Sequence, residues 1–330
     1  MSYDADVDAP LSPQALDRFR LDLEAVTGTG AGTLGLAVSG GPDSVALLLL
    51  AQAARPGRVE AATVDHGLRA ESGGEAEFVA DLCAGLGVPH VILHAEVDRA
   101  RASLQRSARE ARYRALAAWA GERSIRCLAT GHHADDQAET LIMRLIRGSG
   151  VGGLAGMRPS APMPVPSETR LIRPLLGWRR RELADLVATA GIVPVVDPSN
   201  VDENFDRARV RARLAGAEWI DAEAIARSAA ALSEADDALA WYAEVARRER
   251  ITRHGLQVRL TPAELPPEIV RRLLEGLLAE FAAAPAPRGE EIGRLAATLA
   301  LGGTATLAGV KCVGGEQWTF EAAPPRRQRG

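Results

Sequence analysis

The 330-residue sequence predicts an α/β fold: a doubly wound, mostly parallel sheet followed by a smaller, mainly helical C-terminal domain. Three observations predict it. Short apolar strand-like runs alternate with helix-length segments through the first half. Each of three such runs ends in a polar, glycine-containing cluster, as expected where ligands sit at the carboxyl ends of parallel strands. From about residue 217 the character changes to long, alanine-rich helical stretches.

In chain order, Leu34–Val38, Val59–Val64, His90–Val97 and Arg126–Thr130 read as strands, with helices near 43–54, 72–86, 103–121 and 134–147. The helix at 103–121 carries Leu104, Ala108, Ala111, Ala115 and Trp119 at helical spacing, so one face is apolar, with Arg109 and Arg112 beside it. Gly148–Gly153 breaks the pattern, and 158–168 reads as a loop. A strand-like Arg170–Leu176, a helix over 179–190, a short run Val193–Val196 and an Asp197-Pro198-Ser199-Asn200 turn follow. Helices are then expected over 221–250, 266–283 and 288–300, with a hairpin at Thr304–Val313 and Gln317–Glu321. These segments place the domains at 1–216 and 217–330.

Composition narrows the class. Hydrophobic residues make up 47% and charged residues 25%, an ordinary globular balance. The apolar run from Val45 to Ala54 is far shorter than the ~20 residues that span a bilayer. The acidic N-terminus lacks the basic and apolar regions of a signal peptide, so a cytoplasmic protein with no membrane partner is expected. Cys83, Cys127 and Cys312 form no C-x-x-C motif and read as buried thiols. A net charge of −4 argues against a uniform electrostatic grip on nucleic acid, although Arg207, Arg209, Arg211 and Arg213 make a local basic run.

Ser39-Gly40-Gly41-Pro42-Asp43-Ser44 lies between the first strand and the first helix of the alternating region. Glycines there allow a tight turn and a close approach of backbone N–H groups to an anion. Pro42 suits a first helical position, and the helix N-terminus adds positive potential. Ser39 and Ser44 add hydroxyls. The string is not G-x-x-x-x-G-K-[ST], and Asp43 stands where a phosphate-binding lysine would. An acid beside a phosphate loop points to Mg²⁺ chemistry. The second cluster is Asp65-His66-Gly67-Leu68-Arg69, and the third is Gly131-His132-His133. After the third, Asp136 and Glu139 are i,i+3 neighbours in a helical first turn. They read either as acids placed to suit the helix dipole, or as a carboxylate pair that holds Mg²⁺ or receives a cationic amine. Arg112 reads as surface charge, or as a guanidinium that meets phosphate.

The Ser39–Ser44 string resembles the signature loop of the PP-loop ATP pyrophosphatases. Val64–Arg69, Ala108–Tyr113, Gly131–Thr140, Arg147–Gly150, Arg173-Pro174-Leu175 and Asp197–Asn200 with Phe205 narrow the resemblance to the tRNA(Ile)-lysidine synthetases, in order from residue 34 to about 213. Ala208 departs from the family, which usually has Asn there. The resemblance implies adenylation by ATP of the C2 oxygen of the wobble cytidine (C34) in the CAU-anticodon isoleucine tRNA, then attack by the L-lysine ε-amine with loss of AMP. It implies nucleotide contacts from Ser39, Gly40, Gly41, Pro42, Asp43, Ser44, His66, Gly131 and His132. It assigns chemistry to Asp43, Arg112, Asp136 and Glu139, and Mg²⁺ to Asp43 and Asp136. Another PP-loop enzyme such as a tRNA thiolase, or a non-catalytic nucleotide-binding module, is the alternative. The domain from 217 is expected to grip tRNA through Arg247, Arg248, Arg250 and Lys311, with a packing or homodimer role as the alternative.

Overall fold

The computed structural model describes residues 11–28, 32–67, 72–96, 104–195, 206–217, 220–281 and 287–323. Leu68, Arg69, the Asp197–Asn200 turn, Phe205 and the C-terminal arginines lie outside them. By internal contacts the chain forms two units, Met1–Ser233 and Glu234–Gly330.

The first unit holds helix α1 (Pro13–Thr27), strand β1 (Leu34–Ala37), α2 (Pro42–Ala54), β2 (Val59–Asp65), α3 (Ser72–Gly85), β3 (His90–His94), α4 (Leu104–Glu122) and β4 (Cys127–Ala129). It continues through α5 (Ala134–Ile146), α6 (Val151–Leu154), β5 (Ser160–Pro162), β6 (Arg170–Ile172), α7 (Arg180–Thr189), α8 (Asp206–Ala215) and the start of α9 (Ala222–Arg250). The sheet order is β3-β2-β1-β4-β6-β5, parallel except for the edge strand β5. Strand β1 is flanked by β2 and β4, so the winding reverses there and the cleft opens at its carboxyl end.

Alternation along each strand builds a core on both faces. Cys127 and Ala129 of β4 and Ile172 of β6 join Phe19, Leu47, Leu50 and Val79 from the helices on one side. Leu128 and Leu171 join Leu116 and Trp119 of α4 on the other. Residues Ser44 to Ala51 of α2 are all buried, which explains why that helix is apolar all round: it lies between the sheet, α1 and α7. Gly35 in β1 leaves little room for a side chain. A Cβ there would lie 2.9 Å from Ile125 Cγ2 and 3.3 Å from the Trp119 ring.

The expected strand from Arg170 ends at Ile172, because Pro174 has no N–H to continue the ladder. Val193–Val195 is not a strand: the Val195 N–H goes instead to the Gly40 carbonyl at 3.0 Å. The 158–168 loop contains the short edge strand β5, whose proline suits an edge. No helix among the described residues is long and apolar enough to cross a membrane.

The second unit packs the rest of α9, α10 (Pro267–Phe281) and α11 (Gly289–Ala300) with a five-stranded antiparallel sheet. Its strands are β7 (Ile251–His254), β8 (Gln257–Leu260), β9 (Thr304–Leu307), β10 (Val310–Val313) and β11 (Trp318–Ala322), in the order β7-β8-β11-β10-β9. Its core joins Leu273, Leu274 and Leu277 to Val310, Trp318 and Phe320. The unit therefore holds more sheet than the mainly helical domain the sequence suggests. The β7–β8 hairpin, turning on Gly255 at φ 62°, is hidden because β7 follows α9 without a break and three of its four residues are exposed. The expected boundary at 216 precedes α9, and the contact division falls inside that helix.

Gly35→Ala should lower the unfolding free energy by about 1–3 kcal/mol, the usual effect of overpacking, measured by urea titration. Wild-type stability would mean that Ile125 and Trp119 have room to move.

Candidate active site

The loop between β1 and α2 uses its two glycines differently. Gly40 has φ 83°, a left-handed conformation that favours glycine. Gly41 is extended at φ −71° and ψ 161°, and a Cβ there would meet only Ser39 Oγ, at 3.8 Å. The space above Gly41 is therefore open for a ligand at the N-terminus of α2. Ser44 Oγ accepts from the Ser39 N–H (3.1 Å) and donates to the Gly41 carbonyl (2.9 Å), so this hydroxyl shapes the loop. Ser39 Oγ lies 3.3 Å from it. Pro42 occupies the first turn of α2, as the sequence predicts.

Gly131 joins this loop to the acidic helix. A Cβ at Gly131 would lie 2.8 Å from the Asp43 carbonyl oxygen and 3.1 Å from the Ser44 nitrogen, so two backbones touch where β4 leads into α5. The two histidines that follow diverge. His132 Nδ1 pairs with Thr130 Oγ1 at 2.8 Å, and burial, with nearby arginines adding to it, pushes its pKa down to about 4, leaving it neutral. His133 is wholly buried and caps α5, its Nδ1 accepting the Asp136 N–H while Asp136 Oδ2 accepts the His133 N–H at 3.1 Å. His133 Nε2 lies 3.4 Å from Asp43 Oδ2 and 3.5 Å from Asp136 Oδ2. The sequence points to His132, but His133 is the histidine that faces Asp43. Nothing in the Gly-His-His string separates the two.

Glu139 is 2% exposed yet ionised, because three guanidiniums surround it. Arg211 Nε and Arg207 Nε each donate to it at 2.7 Å, and Arg180 Nη2 donates at 3.0 Å. Burial alone would raise its pKa, but the Arg211 and Arg207 hydrogen bonds and charges outweigh that and hold it at about 2. Arg207 Nη2 also donates to Asp136 Oδ1 at 2.8 Å. Asp135 accepts the Arg180 N–H at 2.7 Å and a fork from Arg179 at 3.3 Å, which seats α7 on the start of α5. The Asp136/Glu139 pair is therefore not a solvated dipole feature but the anionic centre of an arginine cluster. The sequence places Arg207 and Arg211 in a run of alternate arginines. On α8 their i,i+4 spacing puts both on the face that meets α5, while Ala208 is also buried. Arg180 carries no comparable signal.

His66, next to the end of β2, accepts from Arg112 Nε at 3.3 Å, and burial with the Arg112 charge lowers its pKa. Ser39, His66, Gly131 and His132 thus all lie at the carboxyl edge of the sheet. No cluster of three or more His, Cys, Asp or Glu side chains among the described residues could hold a metal. Asp43 Oδ1 is buried without a partner, whereas both oxygens of Asp136 are engaged.

Because the Glu139 pKa is depressed when folded, its contribution to stability is present above about pH 4.5 and is lost as pH falls toward 2. Its drop from 4.5 to about 2 corresponds to about 3 kcal/mol. Urea titrations between pH 7 and 3 should show the larger part of this loss, and Glu139→Gln should be less stable at pH 7 with a flatter acid limb. An unchanged acid limb would mean that the cluster does not hold Glu139 ionised.

Known proteins resemble this chain along most of its length. The PP-loop domain family matches residues 16–218. A tRNA(Ile)-lysidine synthase of Zymomonas mobilis is 42% identical over 95% of this chain and 96% of its own. One from Novosphingobium aromaticivorans is 45% identical over 95% of each chain. Among solved structures, the U34-tRNA thiolase NcsA of Methanococcus maripaludis superposes with a TM-score of 0.55 over 68% of this chain and 81% of its own, at 18% identity, which reflects shared fold. With a PP-loop domain over most of its first unit and near full-length relatives at this identity, the chain belongs to the tRNA(Ile)-lysidine synthase family, enzymes that form a carbon–nitrogen bond.

Proposed function

We propose that the chain ligates L-lysine to C2 of the wobble cytidine of the CAU-anticodon isoleucine tRNA. The single observation that carries the reading is the Gly131 contact. It brings the N-termini of α2 and α5 to one cleft in a chain whose relatives bear that name. Two helix N-termini there suit a triphosphate. Adenylation joins the C2 oxygen to the α-phosphorus and releases pyrophosphate over the Ser39–Ser44 loop. The lysine ε-nitrogen then bonds to C2, AMP leaves with the former C2 oxygen, and a carboxylate of the cleft accepts the amine proton.

The chain's own residues fit these roles. Arg112, which donates to His66 beside the end of β2, would neutralise charge on the adenylating phosphate. Glu139 stays anionic and, through Arg207 and Arg211, fixes the α8 arginines beside Asp136. Asp43 suits Mg²⁺, with its buried unpartnered oxygen beside the loop. A single carboxylate together with substrate phosphates is a usual way to hold that ion. Asp136 would have to release Arg207 or its backbone donor to share it. When bound, Mg²⁺ supplies charge neutralisation to the leaving pyrophosphate.

Thiol chemistry is disfavoured by the cysteines. All three are buried, and burial pushes the Cys83 and Cys312 thiols up to about 12 and 11. In the second unit, Arg248 pairs with Glu244 at 3.1 Å, Lys311 with Glu321 at 2.8 Å, and Arg247 with Glu280. Such surface pairs contribute about 0–1 kcal/mol, so these cations can exchange their partners for tRNA phosphates.

AMP release should require both lysine and tRNA, and should occur with C34 transcripts but not U34 ones. Asp43→Ala should fold normally and lose turnover, and Asp136→Asn should slow it by more than about tenfold. Release without lysine, or equal rates on both transcripts, would overturn the assignment.

A further inference from the structure

Arg173 follows β6 directly and is only 8% exposed. Its Nη1 donates to the Arg158 carbonyl at 2.7 Å, while its Nε–H is buried without a partner. No carboxylate among the described residues pairs with it, and its pKa is lowered by burial, the nearby Arg109 charge also lowering it. A buried guanidinium with a donor left unpaired is unfavourable unless an anion arrives. Its neighbours favour one. The register sets Ile172 opposite Ala129, and the Thr130 N–H reaches the Ile172 carbonyl at 3.1 Å, so Arg173 sits beside the start of the Thr130–His132 turn. The exposed Arg109 stacks its guanidinium 5.0 Å from the ring of buried Tyr113, which interacts with Arg173. His132 is neutral and does not compete for the anion.

We propose that Arg173 and Arg109 form a phosphate site at the carboxyl ends of β4 and β6, and that it holds a backbone phosphate of the polynucleotide substrate. This rests on the function proposed above. Position sets it at one end of the cleft, past the Gly131–His132 turn. β6 lies two strands from β1, about 10 Å away, on the β4 side, whereas the His66–Arg112 pair closes the β2 side. The site would hold the strand carrying the target base across the mouth of the Ser39–Ser44 loop.

The test compares Arg109→Gln and Arg173→Gln with wild type, using the CAU transcript. KM is measured for tRNA, ATP and lysine, and filter-retention binding of the transcript is measured across a salt series. Each variant should raise the tRNA KM about three- to tenfold at unchanged ATP KM. The salt slope should become shallower by about 0.7, one single-strand phosphate contact. A merely structural role would leave that slope unmoved. Arg109 is exposed, so Arg109→Gln decides the matter if Arg173→Gln fails to fold. An unchanged tRNA KM and slope, or a rise confined to the ATP KM, overturns the proposal. If wild type shows no lysine-dependent AMP release, the functional reading fails, and the binding slopes still test the phosphate site.

Discussion

The rest of the site depends on one contact, the backbone of Gly131 against the backbone of Asp43 and Ser44. Strand β4 could bring any residue to this level, but only glycine lets the start of α5 approach α2 without a Cβ between them. That approach places His133 beside Asp43 and turns two separate helix N-termini into one electropositive mouth. The flanking acids Asp43, Asp135 and Asp136 lie in the first turns of those helices, where negative charge is favoured.

A second constraint follows from the first. Drawing α5 into the cleft buries Glu139 one turn further along, and a buried carboxylate needs partners. Arg180 from α7 and Arg207 and Arg211 from α8 supply them. The acid thus does two things at once: it orders three guanidiniums at the rim of the cleft and ties α7 and α8 to α5. Asp135 does the same for the N-terminus of α7 through the Arg180 N–H.

Much of this was legible in the sequence, for identifiable reasons. The four parallel strands from β1 to β4 are short apolar runs bounded by polar turns, and the Ser39–Ser44 string marks its own strand–loop–helix context. What could not be read was pairing at a distance. His132 and His133 are chemically identical as letters, and only the capping of α5 decides which one turns inward. Arg207 and Arg211 read as a basic patch until α8 is seen to place them on one face against Glu139. The β7–β8 hairpin stayed hidden because a strand with three exposed residues has no apolar alternation to display. Gly40 and Gly41 read alike, yet one is needed for its φ and the other for the space above it.

The most direct measurement compares Gly131→Ala with Gly41→Ala by thermal unfolding and by calorimetric ATP binding. Gly131→Ala should lower both stability and ATP affinity, because the added methyl pushes α5 off the Asp43 backbone. Gly41→Ala should keep wild-type stability and lose ATP affinity, because its methyl enters only open space. A Gly131→Ala protein as stable as wild type, with full ATP affinity, would contradict the account.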